Sequence, residues 1–283
     1  MKRVIEQILE QVGLSGIETE VLPGATSSLV VRAGDSVIRI HTNPNWLQQE
    51  QDLVAHEVFA LKTAGPLAPR VLKYQEAWIG EIPPWLQMTY VQGVVQLTPL
   101  DDLYVERLAR TLVAIHRLPV PKTSYVYKPY SKTRVVPTWA TEIAAWDWAS
   151  ATAPAPSEQI RFIHRDFHPV NVLYDLGEKY NVVDWVSACV GPIEADVAHC
   201  RLNLALLESV EVADRFLKFY QAMSGLTYDR RWDLNAVFDF GPETITVYPG
   251  WEAYGKRNLS QDNVRKRLEN FVLKVYENNE SGY

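Results

Sequence analysis

The chain has 283 residues, 47% hydrophobic and 22% charged, an ordinary globular composition that excludes a disordered or collagen-like chain. Formal net charge is −6, and it is evenly spread: residues 1–92 hold seven Lys and Arg against ten Asp and Glu, the rest 21 against 24, so each part stands at −3. The sequence shows no basic patch for nucleic-acid phosphates. Its two cysteines exclude a disulfide scaffold and suit a reducing cytoplasm.

Val4, Ile5, Ile8, Leu9 and Val12 recur at helical spacing and predict an amphipathic helix over residues 2–13. Glu6, Glu10 and Gln11 interrupt its apolar side, so it does not read as a signal peptide. No later stretch approaches the roughly 18 apolar residues of a membrane span. Strands are predicted over 17–22, 29–32 and 36–41, separated by turns at 23–28 and 33–35. A helix over 48–63 follows, with Leu53, Val54, Val58 and Leu61 on one face, then strands over 71–78 and 85–91. That order predicts a small antiparallel sheet carrying one helix. After Gly93 the pattern turns helical, over 103–116, 137–151, 197–225 and 259–277, with a loop rich in Tyr, Lys, Pro and Ser over 121–136. The expected fold class is α+β: a small β-rich lobe over 1–92, a larger, mainly helical lobe over 93–283, and a hinge near 88–93.

The densest chemical signal is Phe162-Ile163-His164-Arg165-Asp166-Phe167-His168-Pro169-Val170-Asn171-Val172-Leu173. It contains H-R-D-x-x-x-x-N, and Tyr180-Asn181-Val182-Val183-Asp184-Trp185 follows at the end of a short apolar run. This spacing is that of the catalytic loop and metal-binding strand of kinase-type phosphoryl transfer. Asp166 is the expected acceptor of a substrate hydroxyl's proton. Asn171 and Asp184 are the expected ligands of Mg2+, a hard cation that wants oxygen. Asp and Asn also cap ordinary turns, but three such positions at kinase spacing, each beside an apolar run, favour chemistry.

Together these segments resemble the aminoglycoside phosphotransferase family of small-molecule kinases, whose usual form is H-x-D-x-H-P-x-N followed by a hydrophobic-D-W or D-F. The resemblance extends over nearly the whole chain and implies a bilobal protein-kinase-like fold. It also implies ATP or GTP as donor, Mg2+, and a small-molecule hydroxyl as acceptor, with no nucleic-acid or membrane partner. Glu194-Ala195-Asp196-Val197-Ala198 is similar to the family's later D-x-A segment, which implies that Asp196 supports the catalytic loop. A protein kinase would instead carry D-F-G and A-P-E, both absent here.

For the nucleotide, Ser27 and Ser28 in the 23–28 turn are the expected phosphate contacts, although the segment has one glycine where G-x-G-x-x-G has three. Arg39 stands in an apolar strand where the family uses Lys, and a fork of donors replaces a point charge. Glu57 is its expected carboxylate partner and Glu50 the rival. The segment Leu86–Gly93 resembles the family's hinge, with Met88 lining the purine and backbone groups of Thr89, Tyr90 and Val91 reading its edge.

Three other readings compete. His164, His168, Cys189, His199 and Cys200 suggest zinc, but no C-x2-C accompanies them. No G-x-S-x-G is present for a hydrolase. A kinase-like binding protein without transfer activity would be expected to lose Asp166, Asn171 or Asp184, and all three are present. For the acceptor pocket the resemblance points to Trp139, Trp146 and Trp148 and to residues 239–254, whose Asp239, Glu243 and Glu252 make only a modest acidic cluster. Aminoglycoside-like antibiotics, other antibiotics, amino alcohols and sugars all remain open as acceptors.

Overall fold

The computed structural model describes residues 1–24, 27–175 and 180–280. In chain order these form α1 (Lys2–Gln11), β1 (Thr19–Val21), β2 (Leu29–Ala33), β3 (Ser36–Ile40), α2 (Pro44–Gln49), α3 (Leu53–Ala64), β4 (Val71–Gln75), β5 (Trp85–Thr89) and β6 (Val94–Val95). Then come α4 (Asp102–His116), α5 (Ile143–Ala151), β7 (Ile160–Ile163), β8 (Val172–Tyr174), β9 (Tyr180–Val182) and β10 (Cys189–Pro192). The chain ends with α6 (Ile193–Leu207), α7 (Val210–Ser224), α8 (Trp232–Asp239), α9 (Pro249–Ala253) and α10 (Gln261–Glu280).

Two compact units result. The first takes Met1–Val94 and Leu173–Ser187, the second Val95–Val172 and Ala188–Tyr283. The segment carrying Asp184 therefore belongs with the first unit, which a single cut after residue 92 does not anticipate.

In the first unit, five antiparallel strands stand in the order β1-β2-β3-β5-β4. Every residue of the central strand β3 is buried. Alternation divides its side chains between the two faces. Ile38 and Ile40 join Ile8 and Leu9 of α1, together with Ala33, Ile82 and Trp85, in one apolar cluster. Arg39, between those isoleucines, is left to the other face. The predicted helix over 48–63 is two helices. Asn43 caps α2, its side chain accepting from the N–H groups of Asn45 and Trp46, with Pro44 in the first turn. Glu50 leaves helical geometry before α3 begins. A three-stranded sheet of order β6-β8-β9 completes the picture. Gly93 has φ +140°, and a Cβ there would lie 2.9 Å from Leu173 Cβ, so the close approach requires glycine.

In the second unit, α6 is buried along its whole length, apolar on nearly every side, and packed by α7, α8 and α10. The predicted helix over 197–225 is really α6 and α7. The apolar pattern runs through the break at Glu208 and Ser209, so periodicity alone does not reveal the corner. Buried Arg201 on α6 is satisfied by Asp233 at 3.0 Å and Asp214 at 3.0 Å. The predicted helix over 137–151 shrinks to α5, because N–H groups ahead of it are spent on carboxylates. Thr138 N donates to Glu243, and Thr141 N and Glu142 N donate to Glu269. β7 and β10 pair antiparallel, with Ile163 opposite Cys189, and β7 leads directly into the H-R-D segment.

Candidate active site

The first unit brings three of the expected residues together. Arg39 Nη1 lies 3.2 Å from Glu57 Oε1 and 2.6 Å from Asp184 Oδ1. Strand alternation turns Arg39 toward α3, and Glu57, not the exposed Glu50, is the carboxylate it meets. His41, just past the end of β3, sits 3.4 Å from the other Glu57 oxygen. Burial pushes the Glu57 carboxyl up, but the Arg39 guanidinium and the His41 hydrogen bond outweigh it, holding the group below its ordinary value.

Asp184 has φ +65°, a left-handed conformation that Asp tolerates better than most residues. The buried Trp185 folds back so that its Nε1 donates to Val182 O at 2.7 Å, pinning the turn that presents Asp184. Asp184 Oδ1 is taken by Arg39, and its side chain remains 32% exposed, so its other oxygen is accessible.

Of the remaining nucleotide-side residues, Met88 is buried in β5 opposite Val37 and Val71. Ser27 and Ser28 are half-buried just before β2, whereas Ala25 and Thr26 of the same turn lie outside the described residues. The hinge differs from expectation in its donors. Thr89 N donates to Arg70 O and Tyr90 N to Asp35 O, each within 2.9 Å, which removes both N–H groups from the purine edge. The Tyr90 ring is covered by the Arg32 guanidinium at 3.8 Å. Val91 is half-buried beside them.

The second unit holds the H-R-D loop. Asp196, fully buried on α6, accepts from His164 N at 2.8 Å and from Arg165 N at 2.6 Å. Two consecutive N–H groups converging on one carboxylate fold the loop sharply, and Arg165 takes φ +71°. Burial raises the Asp196 carboxyl, but His116, 3.2 Å away, together with His164 holds it below its ordinary value. The Arg165 side chain turns away to Asp239 at 2.8 Å, with its guanidinium 3.9 Å from the Tyr130 ring and 4.7 Å from that of Tyr127.

Asp166 is left 38% exposed and tightly held. Asn171 Nδ2 donates to its backbone O at 2.9 Å and to Oδ2 at 3.1 Å, and His199 Nε2 lies 3.0 Å from Oδ1. Desolvation opposes ionisation, but His168, His199 and His164 together hold the carboxyl well below the usual range. Asn171 spends its amide nitrogen in these bonds, which leaves its carbonyl oxygen as the group it can offer a hard cation.

The zinc reading divides. Ligand atoms of Asp166, His168 and His199 lie within 4.8 Å of one another. Cys189 and Cys200 are buried free thiols, and burial pushes Cys189 up to about 12 and Cys200 well above its ordinary value, so neither is a thiolate ligand. Both His168 ring nitrogens are engaged within the loop, Nδ1 by Val170 N at 3.4 Å and Nε2 by Asn171 Nδ2 at 3.2 Å.

The tryptophans are mostly core. Trp146 and Trp251 are fully buried, and Trp139 donates to Pro242 O while packing on Trp146 at 5.8 Å. The rings that pack on the histidines beside Asp166 are different ones: Phe240 against His199 at 5.3 Å and Tyr248 against His168 at 5.7 Å. His199 was visible in the sequence only as a zinc candidate. Its position three residues after Asp196 on a helix was the signal that both side chains share a face.

Residues 18–233 match the family described as the phosphotransferase enzyme family (APH), which is more than half of the chain. No curated protein sequence matches it. Among solved structures, the aminoglycoside phosphotransferase APH(3'')-Id from Streptomyces rimosus is similar at TM-score 0.61 and 16% identity, covering 84% of this chain and 96% of its own. The GDP and kanamycin complex of APH(2'')-IIIa is similar at 0.61 and 17%, covering 99% and 100%. Choline kinase LicA from Streptococcus pneumoniae is similar at 0.62 and 12%, covering 98% and 99%. The fold is that of the kinase-like small-molecule phosphotransferases. The chain belongs to the phosphotransferase enzyme family and is a phosphotransferase.

Proposed function

We propose that the protein transfers the γ-phosphate of ATP or GTP to a hydroxyl of a small molecule, with Asp166 as the group that receives or orients the hydroxyl proton. The observation that carries this reading is the holding of Asp166: an exposed, ionised carboxylate, fixed by Asn171, on a loop folded around buried Asp196. A carboxylate kept anionic and aimed suits alignment of a hydroxyl for in-line attack.

Magnesium fits the oxygens present. Asn171 would offer its carbonyl oxygen and Asp184 its second carboxylate oxygen, both hard donors. When bound, the ion neutralises charge on the phosphate oxygens. Arg39, oriented by Glu57, is the cation placed for the α- and β-phosphates, with Ser27 and Ser28 as further phosphate contacts. Met88 would line the purine. With the Thr89 and Tyr90 N–H groups already spent, Val91 is the hinge residue left to read the purine edge. The GDP complex of one structural relative supports a purine nucleotide as donor. No described helix is long and apolar enough to cross a membrane. A nucleotide-using enzyme with free buried thiols suits the cytoplasm.

For the acceptor, the ring pairs beside Asp166 favour a molecule with an apolar or sugar-like face. Asp239, Glu243 and Glu269 are each engaged by internal partners, which leaves little acidity for a polycation such as kanamycin. The test is nucleotide-dependent phosphorylation across aminoglycosides, macrolides, peptide antibiotics, amino alcohols and sugars. Asp166→Asn is expected to abolish transfer while magnesium–nucleotide binding persists; unchanged transfer would refute the assignment.

A further inference from the structure

We propose that His199 is a positioning residue for phosphoryl transfer: its imidazole, with Nε2 3.0 Å from Oδ1, holds the Asp166 carboxylate against helix α6, opposite the grip of Asn171. This rests on Asp166 being the group that handles the acceptor hydroxyl.

The geometry is a clamp built from one helix face. Asp196 and His199 are three residues apart on α6 and therefore project side by side. Asp196 holds the backbone of the loop through His164 N and Arg165 N. His199 reaches the next residue along and meets its side chain, Nε2 to Asp166 Oδ1 at 3.0 Å. From the other direction Asn171 Nδ2 meets Oδ2 at 3.1 Å. A carboxylate held at both oxygens cannot rotate about its terminal bond, yet each oxygen retains a lone pair for the incoming hydroxyl.

His199 is itself confined. It is buried, its ring lies 5.3 Å from Phe240 and 5.7 Å from His168, and its backbone oxygen accepts from Asn203 within the helix. Neither the neutral Nε2–H tautomer nor the imidazolium lacks the required donor, so the positioning role needs no change of charge. What it needs is an N–H at that point.

Two substitutions separate positioning from other roles. His199→Phe keeps a ring against Phe240 and removes the donor. His199→Gln places an amide N–H near the Nε2 position. The expected result is that His199→Phe lowers kcat roughly 10- to 100-fold, the usual scale for a residue orienting a reactive group. The nucleotide KM and the denaturation midpoint should stay close to those of the parent protein, and His199→Gln should recover most of kcat. Equal losses in both variants would overturn positioning, since only an imidazole would then serve. Unchanged kcat in His199→Phe would overturn it as well. Full activity in Asp166→Asn would instead defeat the reading of Asp166 itself, so the two failures are told apart.

Discussion

The two units hold Asp184 and Asp166 by opposite means. Around Arg39 in the first unit, charge answers charge: a buried guanidinium is shared between Glu57 and Asp184. Around Asp166 in the second, no Lys or Arg side chain bonds the carboxylate among the described residues. Its partners are an amide and imidazoles, and the loop beneath it is held by a carboxylate accepting two backbone N–H groups. Under the role proposed for Asp166, donors that each meet a single oxygen fix its direction and leave lone pairs for a hydroxyl, where a bidentate guanidinium would occupy them. At Arg39 the need is a cation that stays put, and an ion pair supplies that.

The comparison breaks first at its base. Asp196→Ala would leave His164 N and Arg165 N without their acceptor, and His116 without its carboxylate. A loss of about 3–5 kcal/mol is expected, as for a broken buried pair, together with loss of transfer, read by urea denaturation and by assay. The Arg39 pair is the next target. Arg39→Met leaves Glu57 buried with His41 as its remaining partner, with an expected cost of about 3 kcal/mol at pH 7. Arg39→Met combined with Glu57→Leu should regain most of that stability while nucleotide-dependent transfer stays low, which would separate the pair's structural share from its function.

The pair also has a pH signature. Glu57 is held below its ordinary 4.5 in the folded protein. Its contribution is therefore complete above that value and is lost as pH falls through the lower folded value. The stability difference between parent and double variant should therefore be constant from pH 7 down to 4.5 and turn against the parent as pH falls further, read as urea-denaturation midpoints across that range. Smaller effects come from the supports. Gly93→Ala is expected to cost about 1–3 kcal/mol, because φ +140° and the Leu173 contact both oppose a Cβ. Glu269→Gln, which weakens the charged acceptor for the N–H groups of Thr141 and Glu142, should cost about 1 kcal/mol or less. Both are read as denaturation midpoints.

The H-R-D loop was legible because its spacing is local. Asp166 and Asn171 are five residues apart, and a short loop between apolar strands must bring them together. The apolar run around Arg39 likewise marked it as an inward charge needing a partner. Helix ends were less legible where carboxylates from afar settled the matter, as Glu243 and Glu269 do ahead of α5. The sequence left open, for a related reason, which tryptophans only pack. An aromatic side chain offers the same apolar surface to a core as to a ligand, and Trp146 and Trp251 went to the core.

Composition, periodicity and short spacing by themselves determined the α+β class and the strand-to-helix change near residue 93, and they put Asp166, Asn171 and Asp184 forward as the candidate site. Only the tertiary structure decided that Glu57 rather than Glu50 faces Arg39, that residues 173–187 fold with the first unit, and that His199 reaches Asp166. Each of those depends on which face of a helix or strand meets which neighbour. Residues distant in the chain acquire such a relation only when the core packs.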